Sequence, residues 1–246
     1  MSKRNKLEKF AEMSTFPNVY ENFDVGNPML STSGGREVRM AGQWNAGHFG
    51  NFQPITLELA CGRGEYTLGL SRQYPDRNFI GVDIKGARIW KGASTALEEN
   101  LSNAAFLRTR IELMEQFFAP EEVSEIWITF PDPFLRNSKS NRRLTSYRFL
   151  AMYSRLLAKG GLIHLKTDSP ELYDFSLAAL SAFPGVEVLE ECDNIYAGAL
   201  PLPELAIKTY YERMHLAEGR TIKYLRFRIV EPVADEVLRR LPPVEI

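Results

Sequence analysis

The feature of this sequence that most constrains its fold is a regular alternation of two kinds of segment from Ile55 onward. Short segments rich in β-branched and aromatic residues alternate with longer segments whose apolar residues recur at helical spacing. This pattern predicts an α/β fold with a doubly wound, mostly parallel sheet, because each helix crosses over to the next parallel strand. About seven strands are predicted, the last one antiparallel: ITLELA, NFIGVDI, AAFLRT, SEIWITF, LIHLKT, VEVLEEC and TIKYLRFRIV.

Capping residues predict where two of the helices begin and end. The segment LTSYRFLAMYSRLLAKGG is amphipathic, and its two terminal glycines suit a left-handed cap at the helix end. Ser169 and Pro170 suit the N-cap and the first turn of the next helix. We therefore expect one helix to end at Gly161 and another to begin near Pro170.

The chain divides by composition near residue 50. Lys3 to Met13 could form a helix, but glycine, proline, asparagine and serine accumulate from Phe16 to Gly50. Residues 1–50 are therefore predicted to form a partly irregular N-terminal arm. Residues 51–246 contain no internal repeat and no low-complexity linker, so they are predicted to form one domain.

Composition narrows the class of protein. A hydrophobic content of 44% and a charged content of 25% are typical of globular proteins. No apolar stretch approaches the roughly 18 residues that a membrane span needs, and the N-terminus lacks the apolar core of a signal peptide. The two cysteines, Cys61 and Cys192, have neither disulfide-framework nor metal-ligand spacing. We expect a cytoplasmic protein with no membrane and no metal partner, and the oligomeric state is left open.

A glycine loop follows the first predicted strand. The segment LELACGRGE places Glu58 inside the strand and Gly62 and Gly64 in the loop, and Asp83 ends the next strand. In open α/β sheets, ligands bind at the carboxyl ends of strands, and an acid at the second strand suits ribose hydroxyls. A plain strand–turn–helix junction is the alternative interpretation of this loop.

The same loop distinguishes between two classes of cofactor. The dinucleotide fingerprint G-x-G-x-x-G would need a glycine at position 67, where the chain has Thr67. Glu58 would also repel a pyrophosphate, whereas it suits a ligand that carries positive charge. These residues favour S-adenosylmethionine, with its ammonium and sulfonium groups, over NAD.

A second acidic site follows the fourth predicted strand, where Asp132 lies between two prolines. The prolines restrict the local backbone, which suits a residue that must hold its position against a substrate. The alternative is a strand terminator with a solvated aspartate. No acidic residue lies between Asp132 and Asp168, and eight basic residues do: Arg136, Lys139, Arg142, Arg143, Arg148, Arg155, Lys159 and Lys166. This clustering predicts an anion-binding surface in a chain whose formal net charge is −1.

Taken together, these motifs resemble those of the bacterial tRNA (guanine-N7)-methyltransferases. The resemblance runs from about Ile55 to Val230 and rests on LELACGRGE, GVDI, FPDPFLRNSKSNRR, LKTD and TYYER. It implies a class I methyltransferase fold, S-adenosylmethionine as cofactor, and methyl transfer to N7 of guanine 46 in the variable loop of tRNA.

The resemblance also implies roles for individual residues. Asp132 matches the family's proposed catalytic aspartate and would also lie near the cofactor. The implied cofactor-binding residues of the first two strands and the loop are Glu58, Gly62, Gly64 and Asp83. The implied substrate-binding residues are Arg136, Asp168, Thr209 and Glu212. From the charge pattern, Lys139, Arg142 and Arg143 are further predicted to contact RNA phosphates.

The chain departs from the family pattern at five positions, and one is Arg136, which stands where the family usually has a lysine. Ala60 replaces the first loop glycine, which a negative φ at that position would tolerate. Phe134 replaces a tryptophan after Pro-Asp-Pro, and Lys139 replaces a histidine. Arg110 stands where the family has an acidic or amide residue that contacts the cofactor.

Two other functions remain open at this stage. One is an S-adenosylmethionine-dependent methyltransferase that acts on a small molecule or an exocyclic amine, since Asp-Pro-Phe is similar to the strand-end motif of amino-methylating enzymes. The other is a non-catalytic RNA-binding relative that has kept the fold. The dense basic run disfavours a small neutral substrate, and the acids Glu58, Asp83 and Asp132 disfavour a non-catalytic protein.

Overall fold

The computed structural model describes residues 5–244. The chain forms two compact units that divide between Ala119 and Pro120. The described residues contain ten strands rather than the expected seven or so, and the three additional strands all precede Ile55.

From residue 5 onward, the first unit contains six strands and three α-helices. Its strands are β1 (Val19–Glu21), β2 (Leu30–Ser31), β3 (Glu37–Val38), β4 (Ile55–Leu59), β5 (Asn78–Asp83) and β6 (Ala104–Arg108). Its helices are α1 (Lys6–Met13), α2 (Glu65–Gln73) and α3 (Gly86–Glu98). The strand order is β3-β2-β1-β6-β5-β4. The pairs β4–β5, β5–β6 and β6–β1 are parallel, whereas the pairs β1–β2 and β2–β3 are antiparallel.

The predicted strands of this unit are central because they are apolar on both faces. Every residue of β4 and β5 is buried, as expected for strands of a parallel sheet covered on both sides. The N-terminal segment adds three short strands, and β1 pairs with β6. Strands of two or three residues are too short to show periodicity, which is why the sequence did not indicate them.

Helix α1 confirms the helix predicted before the irregular stretch; Lys3 and Arg4 lie outside the described residues. Asn5 and Glu8 form a capping box that fixes where it begins. Met13 at its end joins an apolar cluster with Ile89 and Ala93 of α3. The N-terminal segment is thus packed within the core of the first unit.

Up to residue 244, the second unit contains four strands and four α-helices. Its strands are β7 (Val123–Thr129), β8 (Leu157–Thr167), β9 (Val186–Cys192) and β10 (Lys223–Ile229). Its helices are α4 (Tyr147–Leu156), α5 (Pro170–Ala182), α6 (Tyr210–Ala217) and α7 (Asp235–Leu238). The strand order is β7-β8-β10-β9. β7 and β8 are parallel, and β10 runs antiparallel to both of its neighbours, which confirms the prediction for the last strand.

The two helix-boundary predictions fared differently. Ser169 caps α5 as expected, since its side chain accepts a hydrogen bond from the backbone N–H of Leu172. The prediction that the preceding helix reaches Gly161 was wrong, because α4 ends at Leu156 and β8 begins at the next residue. Pairing with β7 draws these residues into the sheet, and Gly160, at φ +79°, lies where the β7–β8 register shifts.

Strand register places the candidate site residues at strand ends. In the first unit Leu59 pairs with Val82, so the loops after β4 and β5 leave the same edge of its sheet. In the second unit Thr129 pairs with Lys166, so the loops after β7 and β8 likewise share an edge. Within residues 5–244, no helix has the length and apolarity of a membrane span. Nor do the described residues contain a cluster of three or more potential metal ligands.

Candidate active site

The loop after β4 makes a tight turn through three left-handed residues. Gly62 and Gly64 have φ values of +57° and +69°, and Ala60 has φ +55°. The condition under which alanine would be tolerated at position 60, a negative φ, is therefore not met: the position adopts the conformation that favours glycine, and alanine occupies it at some cost. The backbone N–H of Gly64 donates to the carbonyl of Cys61 at 2.7 Å and closes the turn.

The two loop glycines serve different purposes. A Cβ on Gly64 would lie 2.6 Å from Cε1 of Phe106, so this position needs glycine for close packing against β6. Gly81 and Gly92 approach the same ring, and a Cβ on either would lie 3.0 Å or less from it. A Cβ on Gly62 would meet nothing within 4 Å. Gly62 therefore presents open backbone that a ligand could approach.

Glu58 is held at the start of α2. Its side chain is buried, and its Oε2 accepts hydrogen bonds from the Thr67 backbone N–H at 2.8 Å and from the Thr67 hydroxyl at 2.6 Å. The residue that breaks the dinucleotide fingerprint is thus the residue that orients Glu58. From the sequence, Thr67 could be recognised only as the position where the dinucleotide fingerprint lacks its third glycine, and its hydrogen bonds to Glu58 could not be predicted.

Asp83 connects the glycine loop to the turn after β5. Its Oδ2 accepts a hydrogen bond from the Gly62 N–H at 2.9 Å, and its Oδ1 accepts one from the Lys85 N–H at 2.8 Å. Each carboxylate oxygen can accept a further bond. The carboxylate is therefore fixed in position and still able to accept two hydroxyl donors.

The electrostatic potential at this loop is negative. Burial raises the pKa of the Cys61 thiol well above its usual value, and Glu58, Asp83 and Glu65 raise it further. Cys61 is consequently a buried neutral thiol rather than a nucleophile. Carboxylates concentrated around a glycine turn suit a cationic ligand and disfavour a pyrophosphate.

Arg110 lies beyond the end of β6 and begins a 3-10 helix (Ile111–Gln116). Its side chain is exposed, and among residues 5–244 it makes no hydrogen bond or ion pair. The nearby Arg108, in contrast, pairs with Glu21 at 2.7 Å. Arg110 has no acceptor atom in its side chain, so it cannot make the hydrogen bond that an acidic or amide residue at position 110 would accept from the cofactor.

In the second unit, the loop after β7 has an unusual backbone. Phe130 and Phe134, on either side of Pro-Asp-Pro, have φ values of +49° and +41°. The Phe130 N–H donates to the carbonyl of Lys166 at 2.8 Å, and the Phe134 N–H donates to Oδ1 of Asp132 at 3.3 Å. Asp132 itself is exposed. The loop thus presents this carboxylate to solvent on a strained, well-defined backbone.

The basic residues after Asp132 divide into two groups. Arg136, Lys139 and Arg142 are exposed and lie on or beside a 3-10 helix (Asn137–Arg142). Arg142 lies over the Phe134 ring at 5.5 Å. Arg143 was grouped with them as a phosphate contact, but its side chain is only 1% exposed and donates to backbone carbonyls of the Pro-Asp-Pro loop.

Asp168 follows β8, the parallel neighbour of β7. Its Oδ2 accepts a hydrogen bond from Arg220 Nη1 at 2.7 Å, and its Oδ1 lies 3.1 Å from Nδ1 of His215. Because β7 and β8 end at the same edge, Asp132 and Asp168 are both carried by loops at that edge. The sequence did not indicate Arg220 as the partner of Asp168.

Thr209 and Glu212 form a capping box at the start of α6. Glu212 is fully buried, where it pairs with Lys166 at 2.7 Å and accepts a hydrogen bond from the Tyr196 hydroxyl at 2.6 Å. Burial lowers the pKa of Lys166 to about 8, against the opposite effect of Glu212. The family resemblance implied Thr209 and Glu212 as substrate contacts. The sequence did not reveal the buried pair of Glu212 with Lys166, because the partners lie 46 residues apart.

Comparison with known proteins defines the family. A family model described as "Putative methyltransferase" matches residues 52–225. The tRNA (guanine-N(7)-)-methyltransferase of Porphyromonas gingivalis is 49% identical over 95% of this chain and 92% of its own length. The protein of the same name from Bacteroides thetaiotaomicron is 46% identical over 99% of this chain and 91% of its own length.

Solved structures with similar folds confirm the expected fold class. The 16S rRNA methyltransferase KamB superposes with a TM-score of 0.59 at 16% identity, covering 80% of this chain and 97% of its own. A variant of the 16S rRNA (adenine(1408)-N(1))-methyltransferase from Catenulisporales acidiphilia, solved with its cosubstrate SAM, gives 0.57 at 15% identity, covering 84% and 98%. At these identities the likeness shows an α/β class I methyltransferase fold alone. The sequence matches go further: this chain belongs to the tRNA (guanine-N(7)-)-methyltransferase family.

Proposed function

We propose that this protein transfers a methyl group from S-adenosylmethionine to N7 of a guanine in tRNA, at position 46 of the variable loop. The observation that carries the proposal is the acid-lined glycine loop, in a chain 49% identical to a relative named for this reaction. A cytoplasmic location, where tRNA is found, follows from the proposed substrate.

The residues of the first unit fit the cofactor. Glu58 and the negative potential around Cys61 suit the ammonium and sulfonium charges, and Asp83 retains the capacity to accept two ribose hydroxyls. Gly62 allows close approach of a ligand to its backbone. S-adenosylmethionine would supply the electrophilic methyl group.

The acceptor needs little chemical activation. Guanine N7 carries a free lone pair at neutral pH, so in-line attack depends mainly on orientation and proximity. A carboxylate can accept hydrogen bonds from the guanine N1–H and amino group and favour the positive charge that develops on the base. No general base is required in this scheme.

Among the three carboxylates predicted to meet the substrate, Asp132 has the most unused acceptor capacity. Glu212 is buried against Lys166 and Tyr196, and Asp168 is held by Arg220. Asp132 is exposed and, within the described part of the chain, accepts one long bond from the Phe134 N–H. We therefore assign guanine recognition chiefly to Asp132, with Asp168 beside it. Thr209 and Glu212 contribute by fixing the start of α6.

Arg136, Lys139 and Arg142 are the proposed phosphate contacts. All three are exposed cations close in sequence to Asp132. A structured RNA must be held by its backbone while one base enters the site, and exposed arginine and lysine suit that task.

The test is to incubate the protein with an unmodified tRNA transcript and S-adenosylmethionine carrying a labelled methyl group, followed by nucleoside analysis. We expect label in 7-methylguanosine at one position of the variable loop. Label in an exocyclic-amine product would favour the alternative methyltransferase. Binding of the cofactor and of tRNA with no transfer would favour the non-catalytic relative.

A further inference from the structure

The structure assigns Arg143 to positioning the Asp132 loop, rather than to contacting RNA. This inference rests on the proposed function of Asp132 and deepens it. It starts from the loop after β7, where two non-glycine residues, Phe130 and Phe134, adopt left-handed backbone within five positions. Such a conformation persists only where surrounding contacts enforce it.

At Phe130 the backbone N–H donates to the Lys166 carbonyl, and at Phe134 the guanidinium of Arg143 supplies the contact. Its Nε donates to the carbonyl of Pro133 at 3.0 Å, and its Nη2 donates to the carbonyl of Phe134 at 3.1 Å. These are the two carbonyls that immediately follow Asp132. A guanidinium presents its donors as a rigid planar fork, so it can fix two adjacent carbonyls at once, which a lysine ammonium on its flexible stem does less well.

The guanidinium is itself held in place from the other side. It lies over the ring of Phe175 in α5 at 4.4 Å, and Phe175 is 2% exposed. Arg143 is only 1% exposed, so its charge is sheltered from solvent and from any phosphate. The adjacent residues Arg142 and Arg143 therefore have different roles. Arg142 faces solvent, and Arg143 connects α5 to the backbone of the Asp132 loop.

Arg143→Lys tests the inference because it keeps the charge and removes the fork. We expect kcat for tRNA methylation to fall at least about tenfold, since small displacements of a reacting group carry large rate penalties. The KM for tRNA and the dependence of tRNA affinity on salt should match the wild type. Arg142→Ala is the contrasting variant, and it should weaken tRNA binding and make the salt dependence shallower by about one phosphate contact.

Hydrogen–deuterium exchange of the peptide spanning residues 130–136 provides a readout that does not need activity. In Arg143→Lys its amides should exchange faster, while peptides from β8 remain as in the wild type. Phe175→Leu, which leaves Arg143 in place, should shift kcat and exchange in the same direction by a smaller factor and serves if Arg143→Lys does not fold. If the wild type methylates no tRNA, the proposed function fails and the exchange result alone decides the role of Arg143.

Three results would overturn the inference. Wild-type kcat in Arg143→Lys would show that the fork has no role in turnover, whatever the exchange rate. A loss of kcat without faster exchange would show that Arg143 acts by another route. A higher KM with a shallower salt dependence would return Arg143 to the RNA-binding surface.

Discussion

Asp132 carries the proposed chemistry, and Asp132→Asn separates its charge from its shape. Asparagine can keep the contact to the Phe134 N–H but lacks the negative charge that would stabilise a methylated guanine. We expect the rate of methyl transfer to fall by about 10²–10³, the usual effect of removing one preorganised electrostatic contact. Cofactor affinity, measured by calorimetry, should change by less than about threefold. An unchanged single-turnover rate would remove Asp132 from the mechanism.

Ala60 makes a prediction about stability. Because Ala60 has φ +55°, Ala60→Gly relieves a backbone strain of about 1–2 kcal/mol in the folded protein. Glycine also increases the conformational entropy of the unfolded chain, which lowers stability by about 0.4–1 kcal/mol. We expect a net gain of about 0.5–1 kcal/mol in the free energy of unfolding, measured with urea. Ala178→Gly in the interior of α5 is the matched control, and it should lose about 0.5–1 kcal/mol. A destabilised Ala60→Gly would show that the methyl group contributes packing that outweighs the strain.

At the residue scale, the sequence predicted acids at strand ends but not the contacts that hold them. Glu58, Asp83 and Asp132 lie in or just beyond strands, where hydrophobic periodicity alone placed them. Their partners could not be predicted in the same way. Thr67 and Arg143 act through the direction of a side chain, and that direction depends on tertiary packing. The sequence shows that Arg143 is positively charged, but it does not show that the side chain is buried.

At the element scale, the start of α6 depends on a buried ion pair. At a pH low enough to keep Lys166 protonated, Glu212→Gln would leave that buried charge without its anion, which should cost about 3–5 kcal/mol of stability. The exposed pair of Glu218 with Arg220 provides the control, and Glu218→Gln should cost less than about 1 kcal/mol. Urea unfolding of both variants measures the difference, and equal costs would contradict the assigned role of the buried pair.

The cost of Glu212→Gln should also depend on pH. Burial lowers the pKa of Lys166 to about 8, although the negative charge of Glu212 raises it. Glu212→Gln removes that charge, so the pKa of Lys166 in the folded variant lies below 8. Below the new pKa the folded variant carries an unpaired charge, whereas above pH 8 the lysine is neutral in both folded proteins. The window runs from the Lys166 pKa of the variant up to about 8. Within it the unfolded chain keeps a proton that the folded variant has released, so the variant gains stability as pH rises and the cost of the substitution falls. A cost that stays constant from pH 6 to pH 9 would contradict this coupling.

Element boundaries were predictable where periodicity was long and failed where pairing competed with it. The seven strands from β4 to β10 and the cap of α5 follow from local pattern, apart from the start of β8, which lies five residues before the predicted LIHLKT. The end of α4 does not, because residues after Leu156 favour a helix locally but pair with β7 instead. Strands β1 to β3 have two or three residues each, and they exist because neighbouring strands provide partners.

At the scale of the whole molecule, the net charge of −1 is a poor guide to whether the protein can bind RNA, because binding depends on local clusters of charge. Eight basic residues lie between Asp132 and Asp168, but they are not equivalent once folded. Lys166 is paired with Glu212 inside the protein, and Arg143 is buried under the Asp132 loop. A charge count from sequence therefore overestimates the cations that a polyanion can reach. Exposure decides which of them contribute to binding.

The salt dependence of tRNA affinity tests that selection. Arg136, Lys139 and Arg142 are exposed beside the Asp132 loop, and neutralising all three as glutamines should reduce the slope of log affinity against log salt by about 2–3. Lys159→Gln is the matched control, because Lys159 is also exposed but lies near the opposite end of β8 from Asp168. Filter binding from 50 to 300 mM salt measures the slopes, a range across which phosphate contacts have large effects. Equal slopes for the triple variant and the wild type would place the RNA elsewhere on the protein, and a change in Lys159→Gln would extend the surface beyond the edge that carries Asp132.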